Sequence, residues 1–249
     1  MAFDFAGRTA LITGAASGIG AACAQWLDER GIARLVLVDR ADIALDLSCP
    51  TDRFTGEVGD PEFWRSVEPK LGRIDHAIVN AGVASGSPIA ETEFEEWRRV
   101  LGVNLDGAFL TMRAAMRSIA DGGSVVITAS ASGLKAEPGT AAYGASKAGA
   151  IHLAKVAAKE GAPRAVRVNA IAPGGVDTPI WDQTPFFNDL VVQHGGDRDA
   201  ALNAMAKMAT PLGRYASADE IAAQVGFLLS DAAATITGAV LVSDGGYIL

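Results

Sequence analysis

The runs TALIT (9–13), RLVLVD (34–39), HAIVN (76–80), SVVIT (124–128), VRVNAIAP (166–173) and AVLVSDGG (239–246) are short, β-branched and apolar without interruption. Alternating patterns mark sheets with one wet face, whereas continuous runs mark strands covered on both faces, as in a parallel sheet between helical layers. Helical patterns lie between the runs. Residues 93–119 place Phe94, Trp97, Leu101, Leu105 and Ala108 at steps of three and four, an amphipathic stripe that should lie against the sheet. Strand-helix alternation along the whole length implies parallel pairing with right-handed crossovers, an α/β fold with a doubly wound parallel sheet. No repeat, linker or low-complexity tract interrupts it, so residues 1–249 read as a single domain.

Helix starts are readable in the same way. TEFE (92–95) and SADE (217–220) have the form of capping boxes, and Asp60-Pro61 offers a side-chain cap followed by proline at the first helical position. One connection is unusual: only 17 residues, Arg40 to Gly56, separate VLVD from the expected third strand, so any helix there must be short or irregular.

A chain that is 49% hydrophobic, with a mean hydropathy of +0.23, can bury a sizeable core. Twenty-nine acidic against 21 basic residues give a net charge of -8, which repels nucleic acid and anionic membranes and points to a small-molecule partner. Cys23 and Cys49 are too few for a disulfide framework, and with His76, His152 and His194 they show no metal-ligand spacing, so no metal is expected. The N-terminus lacks a basic n-region, and no stretch approaches the ~18 consecutive apolar residues of a membrane span. A cytoplasmic protein is expected.

TGAASGIG (13–20) follows the first strand and opens the first helix, where free N–H groups and a positive dipole end suit a pyrophosphate. Gly14 would allow the tight turn, Gly18 the approach of phosphates, and Gly20 the packing of helix on sheet. By itself this GxxxGxG spacing is as compatible with a structural turn as with a cofactor site. Asp39 closes the second strand 19 residues beyond Gly20, where a carboxylate can take the adenosine ribose hydroxyls and repel a 2'-phosphate. Arg40 could accommodate that phosphate, but the glycine loop carries no Lys or Arg, and NAD is expected over NADP.

AAYGASKAGA (141–150) sets Tyr143 and Lys147 four positions apart on one helix face among small residues. A tyrosine of pKa about 10 is a poor base near neutrality, and a neighbouring ammonium favours its phenolate. The spacing also occurs by chance on solvated helices. Here it has company: Ser130 follows the apolar strand SVVIT and can deliver a hydroxyl to the same pocket, and Asn104 sits within the long helix, idle unless a local kink gives it a job.

TGxxxGxG, Asn80-Ala81-Gly82, Asn104, Ser130, YxxxK, APGGVDT and the terminal SDGG occur together and in order from about Arg8 onward. The chain thereby resembles the classical short-chain dehydrogenases/reductases. The resemblance implies a seven-stranded Rossmann sheet, usually in a homotetramer. It implies that Tyr143 exchanges a proton with the substrate oxygen, Ser130 positions that oxygen, Lys147 lowers the tyrosine pKa and holds the nicotinamide ribose, and Asn104 supports a proton-relaying water. Cofactor contacts are implied for Gly14, Ser17, Gly18, Ile19 and Gly20 in the loop, for Asp39 and Arg40, and for Asn80, Ala81 and Gly82. Further along they are implied for Pro173, Gly174, Val176 and Thr178, beside Tyr143 and Lys147 themselves. The acid-valine pair at the adenine is Glu57-Val58, unless Asp46-Leu47 plays that part.

WDQTPFFNDLVVQHGGDRDAALNAMAKMATPL (181–212) is a long insertion between the sixth strand and the capped helix at Ser217, and the lid is placed at about 178–214. Trp181, Phe186, Phe187, Met205 and Met208 either wall an apolar pocket or pack the lid onto the body. Ala131, Leu134 and Glu137 are rim candidates, Glu137 being equally suited to solvent. The expected function is hydride transfer between NAD and a small secondary alcohol or ketone with an apolar or aromatic body. The alternatives are a 3-oxoacyl-type carbonyl reductase using NADPH, against which the acidic lid argues, and a non-catalytic dinucleotide-binding sensor. Enoyl reduction is disfavoured because the family branch that performs it spaces its tyrosine and lysine more widely.

Overall fold

The computed structural model describes residues 3–249. Strands β1 (Thr9–Thr13), β2 (Arg34–Asp39), β3 (Thr51–Thr55), β4 (Ile74–Val79), β5 (Ile119–Thr128), β6 (Arg167–Pro173) and β9 (Val240–Ser243) form one seven-stranded parallel sheet in the order β3-β2-β1-β4-β5-β6-β9. A two-residue pair, β7 (Val176–Asp177) with β8 (Ala216–Ser217), stands outside it. The chain starts in the middle of the sheet, winds outward to β3, and then winds the other way from β4. The β1–β4 boundary is therefore the switch point, and its carboxyl-end crevice is where an open α/β sheet binds ligand.

Both faces of the sheet are covered, as the uninterrupted apolar runs require. Helices α2 (Pro61–Leu71), α4 (Gly107–Ser118) and α5 (Ala141–Gly161) enclose one core with Trp64, Leu11, Val125 and Ile127. Helices α1 (Gly18–Asp28) and α8 (Ala218–Leu229) enclose the other with Trp26, Leu37, Ile78 and Ile171. Gly226 is what lets α1 and α8 meet: a Cβ there would lie 2.2 Å from the Trp26 ring. Asp60 caps α2 by accepting from the Glu62 amide, and Ser217 with Glu220 forms a complete capping box on α8.

Several expectations are corrected. The third strand is the polar edge segment TDRFT, earlier than expected, and no helix precedes it. Arg40–Pro50 is instead an extended strap. Ile43, Leu45, Leu47 and Cys49 alternate inward onto the α1-side core, while Asp42, Ala44, Asp46 and Ser48 face solvent. Arg53 donates to the Ile43 and Leu45 carbonyls, and Asp28 accepts from the Ser48 and Cys49 amides, so the strap's polar groups are met without helical bonds. TEFE forms no capping box: α3 (Phe94–Leu101) begins after Glu93, without a side-chain cap. Phe94 is 67% exposed, so the expected stripe does not start there. The continuous helix is interrupted as well, because residues Gly102–Asp106 form a π-helical turn between α3 and α4.

Among the described residues no helix is long and apolar enough to cross a membrane, and no cluster of His, Cys, Asp or Glu has the form of a metal site.

Candidate active site

The glycine loop is built by backbone conformation. Gly14 and Gly18 have φ of +69° and +54°, a region that favours glycine. A Cβ on Gly14 would meet the Ala81 backbone at 2.9 Å, and one on Gly20 would lie 2.0 Å from the Gly14 carbonyl oxygen. The bare Gly20 thus lets the first turn of α1 close onto the turn that leaves β1. Asn80 braces the turn by donating to the Thr13 and Gly14 carbonyls. Ser17 precedes α1 without a side-chain cap, which leaves the first-turn amides unclaimed by that side chain and suited to an anion.

Asp39 ends β2 beside this loop. Its carboxylate accepts from the Ala16 amide and the Ala41 amide, each at 2.9 Å, so it is pinned against the loop rather than trailing into solvent. Asp39, Arg40, Gly56, Glu57 and Val58 line one end of a cleft of about 460 Å³, and Asp46 and Leu47 do not. Ser17, Ile19, Ala81, Pro173 and Val176 also line it, and Gly20 does not. Thr178 packs 3.3 Å from where a Gly18 Cβ would stand. An open glycine turn, an uncapped helix start and a fixed carboxylate together fit a nicotinamide dinucleotide.

At the other end Ser130, Tyr143 and Lys147 line the same cleft. Ser130 leaves β5 in extended conformation, and its hydroxyl accepts from the Ser132 amide. Lys147 is 5% exposed and donates to the Thr128 carbonyl at 2.9 Å, with its Nζ 5.7 Å from the Tyr143 ring centroid. Burial lowers the Lys147 pKa to about 8 and raises that of Tyr143, against a smaller downward pull from Ser130. Removal from water favours the neutral form of both groups.

The small residues around this pair have steric jobs. A Cβ on Gly144 would meet the Ser132 carbonyl at 2.9 Å, and one on Gly149 would meet Leu105 at 2.8 Å. Asn104, 1% exposed, lies in the π turn. Its Oδ1 accepts from the Val83 amide, and its Nδ2 donates to the Val83 carbonyl and to Ser146 Oγ. The kink thus gives the amide work as a clamp between α5 and the segment after β4. Where a Gly82 Cβ would stand, both Asn104 Oδ1 and Lys147 Nζ lie 3.3 Å away.

The lid comprises α6 (Pro185–Gln193) and α7 (Arg198–Ala209). Of the expected pocket residues, Ala131 and Trp181 line the cleft. The others do not. Phe187 and Met205 are buried in the lid's own cluster with Ala201 and Leu202, which a helical pair needs in order to hold together. Phe186, Met208 and Leu134 are exposed, and Glu137 pairs with Lys135. In their place Tyr215 stacks flat on Trp181, with centroids 5.7 Å apart, and Tyr247 reaches the cleft from the C-terminal segment. Neither was singled out from sequence, although Gly175 and the Gly245-Gly246 turn beside them were signals: a Cβ on Gly175 would strike the Tyr215 ring at 2.3 Å. Arg198 was also missed. It bridges Asp177, Asp182 and the Thr178 carbonyl, joining the start of α7 to the cleft wall.

A family model described as Enoyl-(Acyl carrier protein) reductase matches residues 14–248. The chain is 35% identical to a cis-4-hydroxycyclohexanecarboxylate dehydrogenase of Sinomonas cyclohexanicum, over 98% of this chain and 97% of that one. It is 40% identical to a D-threitol dehydrogenase of Mycolicibacterium smegmatis, over 99% and 96%. Among solved structures, the L-sorbose reductase of Gluconobacter frateurii, determined with NADPH and L-sorbose, matches with a TM-score of 0.91 at 28% identity, over 100% of this chain and 99% of that one. Fold, cleft and likeness agree: the chain belongs to the short-chain dehydrogenase/reductase family, oxidoreductases of alcohols and carbonyl compounds that use NAD(P).

Proposed function

We propose that this protein is an NAD-preferring dehydrogenase that interconverts a small secondary alcohol and its ketone. The observation that carries the reading is one continuous cleft with the Asp39 carboxylate at one end and Ser130, Tyr143 and Lys147 at the other. The nicotinamide ring, when bound, accepts the hydride in oxidation and supplies it in reduction. The rest falls to the chain. Ser130 hydrogen-bonds the substrate oxygen and fixes its distance from Tyr143, whose phenol takes the hydroxyl proton in oxidation and returns it in reduction. Lys147, held by the Thr128 carbonyl, sets the field at the phenol and reaches the ribose side of the cleft. Asn104 positions the Val83 segment and α5 around that lysine.

Preference for NAD rests on Asp39, whose charge is fixed by two backbone amides and repels a 2'-phosphate. Arg40 also lines the cleft and is the basis of the competing NADPH reading. The acidic lid and the Tyr143-to-Lys147 spacing weigh against acyl-carrier-protein substrates and enoyl reduction. The relatives act, by their names, on cis-4-hydroxycyclohexanecarboxylate, D-threitol and L-sorbose, small molecules of the size proposed here. The experiment is NADH appearance with NAD and a panel of neutral secondary alcohols. Wild-type turnover that Tyr143→Phe abolishes supports the proposal; retained turnover in that variant refutes it, and silence of an NAD-binding wild-type protein favours a sensor. Asp39→Ala is expected to raise the NADP-to-NAD ratio of kcat/KM at least tenfold, and an unchanged ratio would transfer ribose recognition to another group.

A further inference from the structure

The C-terminal segment ties together three walls of the cleft. Leu212, at the end of the lid, donates to the Gly245 carbonyl, and Gly246, at φ +91°, leaves only 2.8 Å between a would-be Cβ and Pro211. Asp244 packs against Gly174 and accepts from the amides of Gly246 and Ile248, closing a tight turn. The turn aims Tyr247 back at the loop between Ser130 and Tyr143. There Lys135 donates to the Tyr247 carbonyl at 3.0 Å and sits 4.3 Å from its ring centroid, while Glu137 pairs with Lys135 at 3.1 Å.

The cleft's chemistry changes along its length. Its charged lining side chains, among the described residues, are Asp39, Arg40 and Glu57 at the adenosine end and Lys147 beside Tyr143. Beyond Tyr143 the wall includes Ser132, Thr140, Trp181, Tyr215 and Tyr247, so hydroxyls and a flat aromatic surface are present, and no lining cation there waits for a carboxylate or phosphate. A substrate that fills this end is neutral, with polar edges to meet the hydroxyls and a flat or cyclic face to lie on Trp181.

We infer that Tyr247 is a substrate-selecting residue that reads a second hydroxyl on a neutral diol or polyol, with Lys135 and Glu137 as its positioning residues. This deepens the dehydrogenase reading above and rests on it. Burial, with the Glu137 carboxylate nearby, pushes the Tyr247 phenol up to about 12, while Lys135 holds Glu137 below its usual range. The phenol stays protonated, and its oxygen can accept from a substrate hydroxyl. A monohydric alcohol leaves that acceptor unused.

The test compares cis-1,2-cyclohexanediol with cyclohexanol, which differ by one hydroxyl on the same ring, in the full-length protein with NAD. Wild type is expected to favour the diol in kcat/KM. Tyr247→Phe keeps the ring over Lys135 and is expected to reduce that preference about tenfold, through the KM for the diol. Lys135→Met is expected to raise KM for the diol with kcat preserved, which a general loss of packing would not do selectively. An unchanged diol-to-monoalcohol ratio in Tyr247→Phe, with both alcohols turned over, overturns the inference alone. A wild-type protein that binds NAD yet oxidises neither alcohol overturns the dehydrogenase reading and the inference with it.

Discussion

Tyr143 is the side chain on which the proposed chemistry turns, and its burial makes a signed prediction. Oxidation needs the phenolate and reduction needs the phenol, while desolvation holds the group above its ordinary pKa. The kcat/KM for alcohol oxidation is therefore expected to climb through the alkaline range, with no matching rise for ketone reduction; parallel profiles in both directions would remove Tyr143 as the proton-transfer group. His76 makes a second prediction. It is buried between Ser124 and Phe5, and burial pulls its pKa to about 4. The unfolded chain takes up the proton first as pH falls below about 6.5, so stability present above that value is lost towards about 4, by up to about 3 kcal/mol. Urea unfolding of wild type and His76→Gln across the acid range checks this, and an equal pH slope in both would clear His76. Ser130, Asn104, Tyr143 and Lys147 were readable because each is a distinctive group at a distinctive spacing. Phe187 and Met205 were not, because an apolar side chain suits a lid's own core as well as a pocket wall, and only packing separates the two.

The helices and connections divide the same way. SADE and TEFE look alike in sequence, yet only Ser217 and Glu220 close a capping box; Thr92 instead donates to the Ser87 and Pro88 carbonyls, so its hydroxyl is engaged before α3 begins. Ser217→Ala is expected to cost about 1 kcal/mol, read as a lowered urea midpoint with unchanged slope, while Thr92→Ala leaves the capping of α3 untouched. The edge strand TDRFT escaped notice because an edge needs no continuous apolar run, and the strap before it did so because alternation there serves one face of a core without any sheet pairing. At the lid, Arg198→Met cuts the links from α7 to Asp177, Asp182 and the Thr178 carbonyl. Steady-state kinetics are expected to show a raised KM for both nucleotide and alcohol, with secondary structure by circular dichroism intact; wild-type constants would mean that the lid is held elsewhere.

For the molecule as a whole, the reversal of winding between β1 and β4 brings sequence-distant groups to one crevice: the 13–20 loop, Asp39, Asn80, Ser130 and the turn after β6 all stand at carboxyl ends of strands. The doubly wound parallel arrangement was legible, since continuous apolar runs joined by helices leave few alternatives. The aromatic wall was not, because Trp181, Tyr215 and Tyr247 meet only after the lid and the C-terminal turn fold back over the sheet. A dinucleotide laid along that crevice touches most of the domain's strands and should stabilise them together. At about a hundred times its dissociation constant, NAD is expected to add about 2.7 kcal/mol and raise the melting temperature by ~5–10 °C, and no shift would mean that the crevice is not its site.

The strap Arg40–Pro50 carries one more implication. Its inward and outward side chains alternate like those of a strand, although it is not one of the sheet's strands, so it has a phase. Deleting one residue between Ile43 and Cys49 would exchange the two sets, turning aspartates towards the core and leucines to water, whereas deleting two would preserve the sides and only shorten the span. Most surface connections tolerate length changes of either parity. This one should discriminate odd from even, and soluble yield of single- and double-residue deletions at Leu45-Asp46 would reveal it.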